Sequence, residues 1–508
     1  MNRVLLIGLD SADADLIEKW AGEGYLPNFA QLLTAQRFHR IATSAEYLHV
    51  SGWPSLYTGT NPGQHGMYHA YQVRSGVPGL LRTEPNWCAM PPFWQHLDAA
   101  GRKCIVFDAF MDHPMKSFKG IQILEYGTWT WFGEPGSTPA RMLGEIRKRF
   151  GPYPAPEHAN QVEVPNDPRR FRDQLIRGAL QKAAITRALM TEHDWDFLFV
   201  SFGEPHGAGH YLWHFSDPQY PLQATDDTLT GQPLMREVYT AVDEAIGQLI
   251  SQAGPGTTVM VTSPDGMGAN YSGCQLMPAL LHRMGLLHGP GLDGGSTRGP
   301  AKGGLLQALR GAIPLEFRQA VTRCLPRKYR YQLSMKWANS AVDWQRSRVY
   351  CIPNSNEAYF RANLEGREPT GIVHPGSEYE ELIGELSAEL HALRSADGSM
   401  SAVDRVTRIG QVCSGGRLAD LPDLSVSWCG NARTTTTISS HSHGMVTGLA
   451  GYQTSPFYTG NHRPAAFVAT AGAHSLVPGN GASVLDLAPT ILKQLGVETP
   501  VHYEGRAW

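Results

Sequence analysis

An excess of charge of either sign is absent from this sequence: 43 Lys plus Arg stand against 46 Asp plus Glu in 508 residues, a formal net charge of -3. A broad basic face for a nucleic-acid polymer or an anionic membrane is therefore not built in. Long apolar runs are also missing. No stretch approaches the roughly 18 apolar residues that span a bilayer. The opening MNRVLLIGLD lacks the charged, apolar, small-residue order of an export signal, so a cytoplasmic location is expected. Paired cysteines are lacking as well. The seven (Cys88, Cys104, Cys274, Cys324, Cys351, Cys413, Cys429) are scattered, odd in number and without C-x-x-C spacing. Neither a disulfide framework nor a thiolate zinc knuckle is indicated. There is no internal repeat and no low-complexity tract.

What is there reads as a globular chain, 42% apolar and 18% charged. VLLIGL (4–9) is a short continuous apolar run of the kind a strand buried on both faces requires, closed by Asp10. The following DADLIEKWAGEG has helical apolar spacing, with Asp13 as N-cap and Gly22 or Gly24 as stop. CIVFDAF (104–110), FLFVSF (197–202) and TVMVTS (258–263) are further buried strands, the last two after helices expected at 173–192 and 234–253. Alternating strand and helix implies a mainly parallel sheet whose strand-end loops open on one edge. Residues 270–345 read differently, with Gly and Pro at 289–304 and a basic segment at 323–332, and are expected to form an inserted cap. A strand-rich region begins near Arg348, and 486–497 is an amphipathic helix.

The sharpest local signal is GEPHGAGHYLWH (203–214), directly after a strand, with His206, His210 and His214 at intervals of four. In a helix the first two imidazoles share a face and can chelate one divalent cation, although Gly207 and Gly209 weaken the helix. Alone, Asp10 is as well explained as a helix cap, Asp265 in SPDGMG as a turn, and His462 in TGNHRP as a loop histidine. His441 and His443 lie either on one face of a strand or in a loop. Asp10, His206, His210 and Asp265 share one property: all fall at carboxyl ends of expected strands.

VLLIGLDSADADLIEKW with GYLPNFAQLL, WPSLYTGTNPGQHGMY (53–68), VDWQRSRVYC (342–351), YFRANLEGREPTGIVHPGSEYEEL (359–382), TGNHRPAAFVATAG (459–472) and the terminal LDLAPTILKQLGVETPVHYEGRAW together resemble the alkaline phosphatase superfamily, in its type I phosphodiesterase and nucleotide pyrophosphatase branch. The resemblance implies an alkaline-phosphatase-like α/β fold: a doubly wound, mainly parallel sheet with helices on both faces, a core of residues 1–269 and 346–508, and the cap at 270–345. It also implies two divalent cations, usually zinc, flanking a Thr or Ser that attacks phosphorus.

The site positions depart from that pattern. The first metal's Asp, His and late His correspond to His206, His210 and His462, which makes a three-His set suited to zinc with an open position for water. At the second metal Asp10 remains, the usual Asp-His pair reads Pro264-Asp265, and counting back from Thr58-Gly59 puts His49 where the nucleophile belongs. Asp10, Asp265 and His49 are then candidate ligands of a second cation or proton-transfer groups. Ser51 is a fallback nucleophile, and Ser44 is disfavoured by spacing. The expected function is a metal-dependent hydrolase of a small-molecule phosphoester or phosphodiester, using hydroxide on the three-His metal. A His49 phospho-enzyme, iron or manganese chemistry on another bond, and a non-catalytic relative stay open.

Overall fold

In the computed structural model the described residues are 2–508 apart from 85–86, 116, 128–134, 156–166, 218–219, 221–230, 291, 293–326, 355, 433, 435, 449–457 and 473–475. The main elements, in chain order, are β1 (Arg3–Leu9), α1 (Ala14–Gly22), β2 (Phe38–Arg40), α2 (Gly52–Thr58), β3 (Cys104–Phe107), β4 (Ile121–Leu124), β5 (Gly136–Thr138), α3 (Pro168–Glu192), β6 (Phe197–Phe202), α4 (Glu204–Ser216), α5 (Leu234–Ala253), β7 (Thr257–Ser263), β8 (Gly266–Ala269), β9 (Val349–Ile352), β10 (Ala358–Ala362), β11 (Val403–Arg408), β12 (Leu424–Trp428), β13 (Gly460–Arg463), β14 (Phe467–Gly472) and α6 (Leu487–Gln494).

The eight-stranded sheet runs β2-β14-β7-β1-β6-β3-β4-β5. Its centre, from β7 to β4, is parallel, and β14, β2 and β5 join antiparallel at the edges. The central strands β1, β6 and β7 are buried almost throughout, so their unbroken apolar runs are what two covered faces demand. α1 starts where the Asp13 carboxylate accepts from Leu16 N, and the chain leaves it through Gly24 at φ +87°, a left-handed conformation that costs glycine little. One apolar cluster joins α1, α3, α4 and α5 to one face of the sheet, and another puts α2 and α6 on the other.

A third cluster forms a separate core. It gathers Leu48, Tyr68 and residues 274–287 around the antiparallel sheet β9-β10-β12-β11. The expected cap at 270–345 lies outside the described residues in its central stretch, 293–326. The chain is helical over Arg327–Ser340, which includes the described part of its basic segment. His441 and His443 sit in a turn. Among the described residues no helix is long and apolar enough to cross a membrane.

The direction of β14 decides what reaches the functional edge. Phe467 pairs with Ser263, the last residue of β7, so β14 begins where its parallel neighbours end. The hairpin-like pair β8 and β13 just before it therefore lies at the carboxyl edge, with Met267 opposite His462. β2 ends at that edge too, since Arg40 pairs with Phe467, and it launches the segment carrying His49.

Burial also leaves one titration in the scaffold. Asp112 is held by Gln122 Nε2 at 2.7 Å and His113 N at 2.8 Å, yet desolvation pushes its carboxyl up from 3.8 to about 7. The folded state then binds this proton more tightly than the unfolded chain, so the group's contribution is full below the unfolded value and is lost as pH rises through the folded one. Urea unfolding across pH 4 to 7 should show a loss of stability with rising pH that is reduced in Asp112→Asn; identical slopes in the two proteins would show that Asp112 does not titrate in this way.

Candidate metal centre

β1 delivers Asp10 and Ser11, β6 runs into α4 with His206 and His210, β7 delivers Asp265, and β13 carries His462. The expected chelating segment is helical from Glu204 onward despite Gly207 and Gly209, and the packing explains why. A Cβ on Gly209 would come within 2.5 Å of Met267 Cγ, and one on Gly460 would overlap the Gly209 carbonyl oxygen. The two glycines let α4 lie directly against β8 and β13. This close approach brings His210 and His462 together: their ring centroids are 4.9 Å apart, and those of His206 and His462 are 5.0 Å apart.

The first turn of α4 is anchored from below. The fully buried Lys182 ammonium lies 2.8 Å from Asp108 Oδ2 and 3.7 Å from Glu204 Oε1, and donates to the Ser201 carbonyl at 3.1 Å. A buried ammonium is tolerated only with such partners, and removing one typically costs about 3–5 kcal/mol. Burial would lower the Lys182 pKa, but the two carboxylates hold it above its ordinary value.

One candidate atom from each of His206, His210 and His462 lies within 4.8 Å of the others; no second such set of three ligating side chains occurs among the described residues. The hydrogen bonds show which nitrogen each ring offers. His206 Nδ1 is 2.7 Å from Asp10 Oδ2, His210 Nδ1 is 2.8 Å from the Gly460 carbonyl, and His462 Nδ1 is 2.7 Å from Asp265 Oδ2. A carbonyl or carboxylate only accepts, so each Nδ1 donates and each Nε2 keeps its lone pair. His206 Nε2 and His210 Nε2 nonetheless lie 2.7 Å apart, and the Tyr458 hydroxyl is 2.6 Å from His210 Nε2. Either one ring takes up an extra proton or a cation sits there, and the donor set fits zinc.

The acidic candidates stand behind these rings. Asp10 uses both oxygens: Oδ2 accepts from His206 and Oδ1 accepts from Trp53 Nε1 at 2.8 Å. Burial alone would raise its pKa, but His206 and Trp53 bring it below the usual value. For Asp265 burial wins over His462 and the carboxyl is raised. Its Oδ2 also accepts from Ser11 Oγ at 3.2 Å, while Oδ1 is buried without a protein partner. Ser11 holds φ +54°, strain for a non-glycine residue that lets its hydroxyl donate to Asp265 while its oxygen faces His462 Nδ1, 3.0 Å away. For His206, desolvation opposes protonation, but Asp10 outweighs it and raises the pKa.

His49 is beside the cluster, its ring centroid 5.1 Å from that of His462. Both of its nitrogens have protein neighbours: Tyr359 Oη at 3.1 Å from Nδ1 and Asn356 Nδ2 at 2.5 Å from Nε2. Burial, then the neighbouring His462 and His206, push its pKa well below the ordinary imidazole value. Burial pushes Glu357, 3.6 Å from Nδ1, up to about 7. Ser51 and Ser44 are buried away from the cluster in a hydrogen-bond chain: Ser51 Oγ lies 2.6 Å from the Leu48 carbonyl and 2.7 Å from Ser44 Oγ, which in turn meets Ser55 Oγ at 2.9 Å. His214 meets Thr459 Oγ1 at 3.0 Å and stands outside the three-His set. Pro264 packs its ring against Gly52 at the start of α2.

Several site residues had no sequence signal of their own. Tyr458 stacks on His210 with centroids 3.9 Å apart and its hydroxyl 2.6 Å from Nε2. Ser11, Trp53, Asn356, Glu357 and Tyr359 complete the surroundings. Only the alternation of Glu357 and Tyr359 at the head of a strand could have hinted at a shared face.

A family model described as type I phosphodiesterase / nucleotide pyrophosphatase matches residues 4–328, a span that holds Asp10, His49, His206, His210 and Asp265 but not His462. No curated protein matches the chain. Among solved structures, phosphonoacetate hydrolase from Sinorhizobium meliloti 1021 in complex with phosphonoformate aligns at 10% identity and TM-score 0.52, covering 97% of this chain and 95% of that one. The same hydrolase with phosphonoacetate aligns at 11% identity, TM-score 0.52 and the same coverage. Murine ectonucleotide pyrophosphatase / phosphodiesterase 5, inactive and in complex with AMP, aligns at 13% identity and TM-score 0.43 over 99% and 97% of the two chains. At these identities the phosphonoacetate hydrolase structures establish the fold: alkaline-phosphatase-like α/β.

Gly460→Ala should separate β13 from α4 and with it His462 from His210. Zinc affinity, measured by competition with a chromogenic chelator, should fall at least about tenfold, in the range seen when groups that orient metal ligands are lost. An unchanged affinity in a folded variant would mean that this contact does not set the ligand spacing.

Proposed function

We propose, from the premise that the chain belongs to the type I phosphodiesterase / nucleotide pyrophosphatase family and is a metal-dependent hydrolase, that it cleaves a small-molecule phosphoester or phosphodiester at one zinc ion held by His206, His210 and His462. The observation that carries this reading is the convergence of the three rings: one nitrogen of each lies within 4.8 Å of the others, while each Nδ1 meets an oxygen acceptor. When bound, the cation supplies Lewis acidity and lowers the pKa of water toward neutrality.

The chain's own residues do the rest. Asp10 and Asp265 orient His206 and His462 and make their Nε2 atoms better donors, as carboxylates behind metal-bound imidazoles generally do. His49, whose ring centroid lies 5.1 Å from that of His462, is the proton acceptor for the attacking water. The side chains of His206 and His462 stand 17% and 10% exposed against 4% for Asp10 and 7% for Asp265, which suits substrate arriving beside His206 and His462.

A second reading has one observation in its favour. Asp265 Oδ1 is buried and unpartnered, and with Asp10 and His49 nearby it offers a donor to a second cation. The number of metals separates the two readings.

Protein purified without added metal, analysed by elemental spectrometry and tested on aryl phosphomonoesters and phosphodiesters, should carry about one equivalent of zinc and hydrolyse one of these classes. His462→Ala should lose both the metal and the activity. Asp265→Asn should keep the site but bind zinc about 10–100-fold more weakly. Two equivalents of metal would favour the second reading. Less than a few tenths of an equivalent, unrecovered on reconstitution, would remove the catalytic one. Acid-labile, base-stable phosphate on the protein during turnover would make His49 the nucleophile instead of the base.

A further inference from the structure

The two ring nitrogens of His49 meet different kinds of partner, both supplied by the second core. Nδ1 faces the hydroxyl of Tyr359 at 3.1 Å. That hydroxyl has a single proton, and its oxygen lies 2.5 Å from Glu357 Oε2, to which it donates. With its proton committed, Tyr359 Oη meets Nδ1 only as an acceptor, so Nδ1 must carry the ring proton. On the other side Asn356 Nδ2, which can only donate, lies 2.5 Å from Nε2. Nε2 must therefore hold its lone pair. Two unconnected partners select the same tautomer.

Glu357 binds both ends of the arrangement, because its Oε2 also accepts from the His49 backbone N at 3.2 Å. Chain and ring are positioned by one carboxylate. Tyr359 is fully buried, and its ring has centroids 6.5 Å from His49, 5.7 Å from Tyr68 and 6.3 Å from His69, so the phenol has little freedom to point elsewhere. Asn356 is fixed less completely: its Oδ1 is buried with no partner. An amide with one unsatisfied end gives up little when it turns away, so a substrate can displace it from Nε2.

The geometry points to Tyr359, held by Glu357, as the positioning residue that fixes His49 in the Nδ1–H tautomer, so that Nε2 is the nitrogen that takes up the proton during hydrolysis. This rests on the role of His49 as base proposed above. In the step, the water oxygen forms a bond to phosphorus as the ester oxygen leaves with its electron pair, and the water proton goes to Nε2. The Nδ1 proton and the Tyr359 proton stay where they are. The ring becomes cationic, which strengthens the Nδ1–H bond to Tyr359 and brings the new charge within reach of Glu357.

The test is the tautomer itself, read from ring carbon and nitrogen shifts of the full-length protein labelled at histidine, with the His49 signal assigned by its absence in His49→Gln. The wild type should show Nδ1–H. Tyr359→Phe, which keeps the buried ring, should shift the population toward Nε2–H. It should also lower kcat at least about tenfold with KM changed less than about twofold, while zinc content is unchanged. Glu357→Gln should do the same more weakly, which guards against a fold defect specific to position 359. A wild-type ring in the Nε2–H form, or a tautomer unaffected by both variants, would overturn the assignment. Because this readout needs no substrate, a failure of the hydrolase reading leaves activity absent with the tautomer result intact, and the two failures are told apart.

Discussion

His206 and His210 bring their Nε2 atoms to 2.7 Å while each Nδ1 meets an acceptor, a spacing that calls for a proton between the rings and that a bound cation would have to widen, with the Tyr458 hydroxyl 2.6 Å from His210 Nε2. The rest of the site depends on that constraint. A hydrogen bond would relieve it if one ring were turned over, but Asp10 and the Gly460 carbonyl each demand a donor, and turning either ring would leave a buried acceptor unpaired at a cost of about 1–3 kcal/mol. The arrangement therefore answers to a cation, or to a proton in its absence, and acid conditions would set the two in competition for the same nitrogens.

The fold produces this through strand direction more than through proximity in sequence. Parallel β1, β6 and β7 place Asp10, α4 and Asp265 on one edge, as any doubly wound sheet would. His462 comes from β13, which reaches the same edge because β14 runs against its neighbour. Glycine then sets the final spacing. Gly209 and Gly460 remove the side chains that would hold α4 away from β13, and the energy given up in helix propensity at position 209, about 1 kcal/mol, is small against a misplaced ligand.

Much of this was legible in the residues. The unbroken runs 4–9, 197–202 and 258–263 are buried strands within a residue of their expected bounds, and the helix expected at 234–253 has those ends, because strong burial leaves one periodicity available. The family resemblance also anticipated the fold that the matched structures share. His206 and His210 from α4 and His462 from β13 are brought together. What sequence could not display were the partners from other elements. Gly207 and Gly209 argued against a helix because propensity is blind to what packs on the outside. Ser11 adopts a conformation that its residue type rarely takes. Glu357 and Tyr359 lie more than three hundred positions from His49, on a separate core whose docking no local pattern encodes.

Placing histidine at 206, where the family pattern has a carboxylate, has a consequence for Asp10 that follows from counting oxygens. A carboxylate has two, and each oxygen of Asp10 accepts one hydrogen bond, from His206 and from Trp53, and keeps a second lone pair. Asp265 is not so fully used, since Oδ1 is unpartnered. The two acids are thus unequal. One has both oxygens hydrogen-bonded, and the other retains an unpartnered oxygen. Carboxylates standing one ring away would compensate the charge of a bound cation and raise the basicity of the imidazoles in front of them.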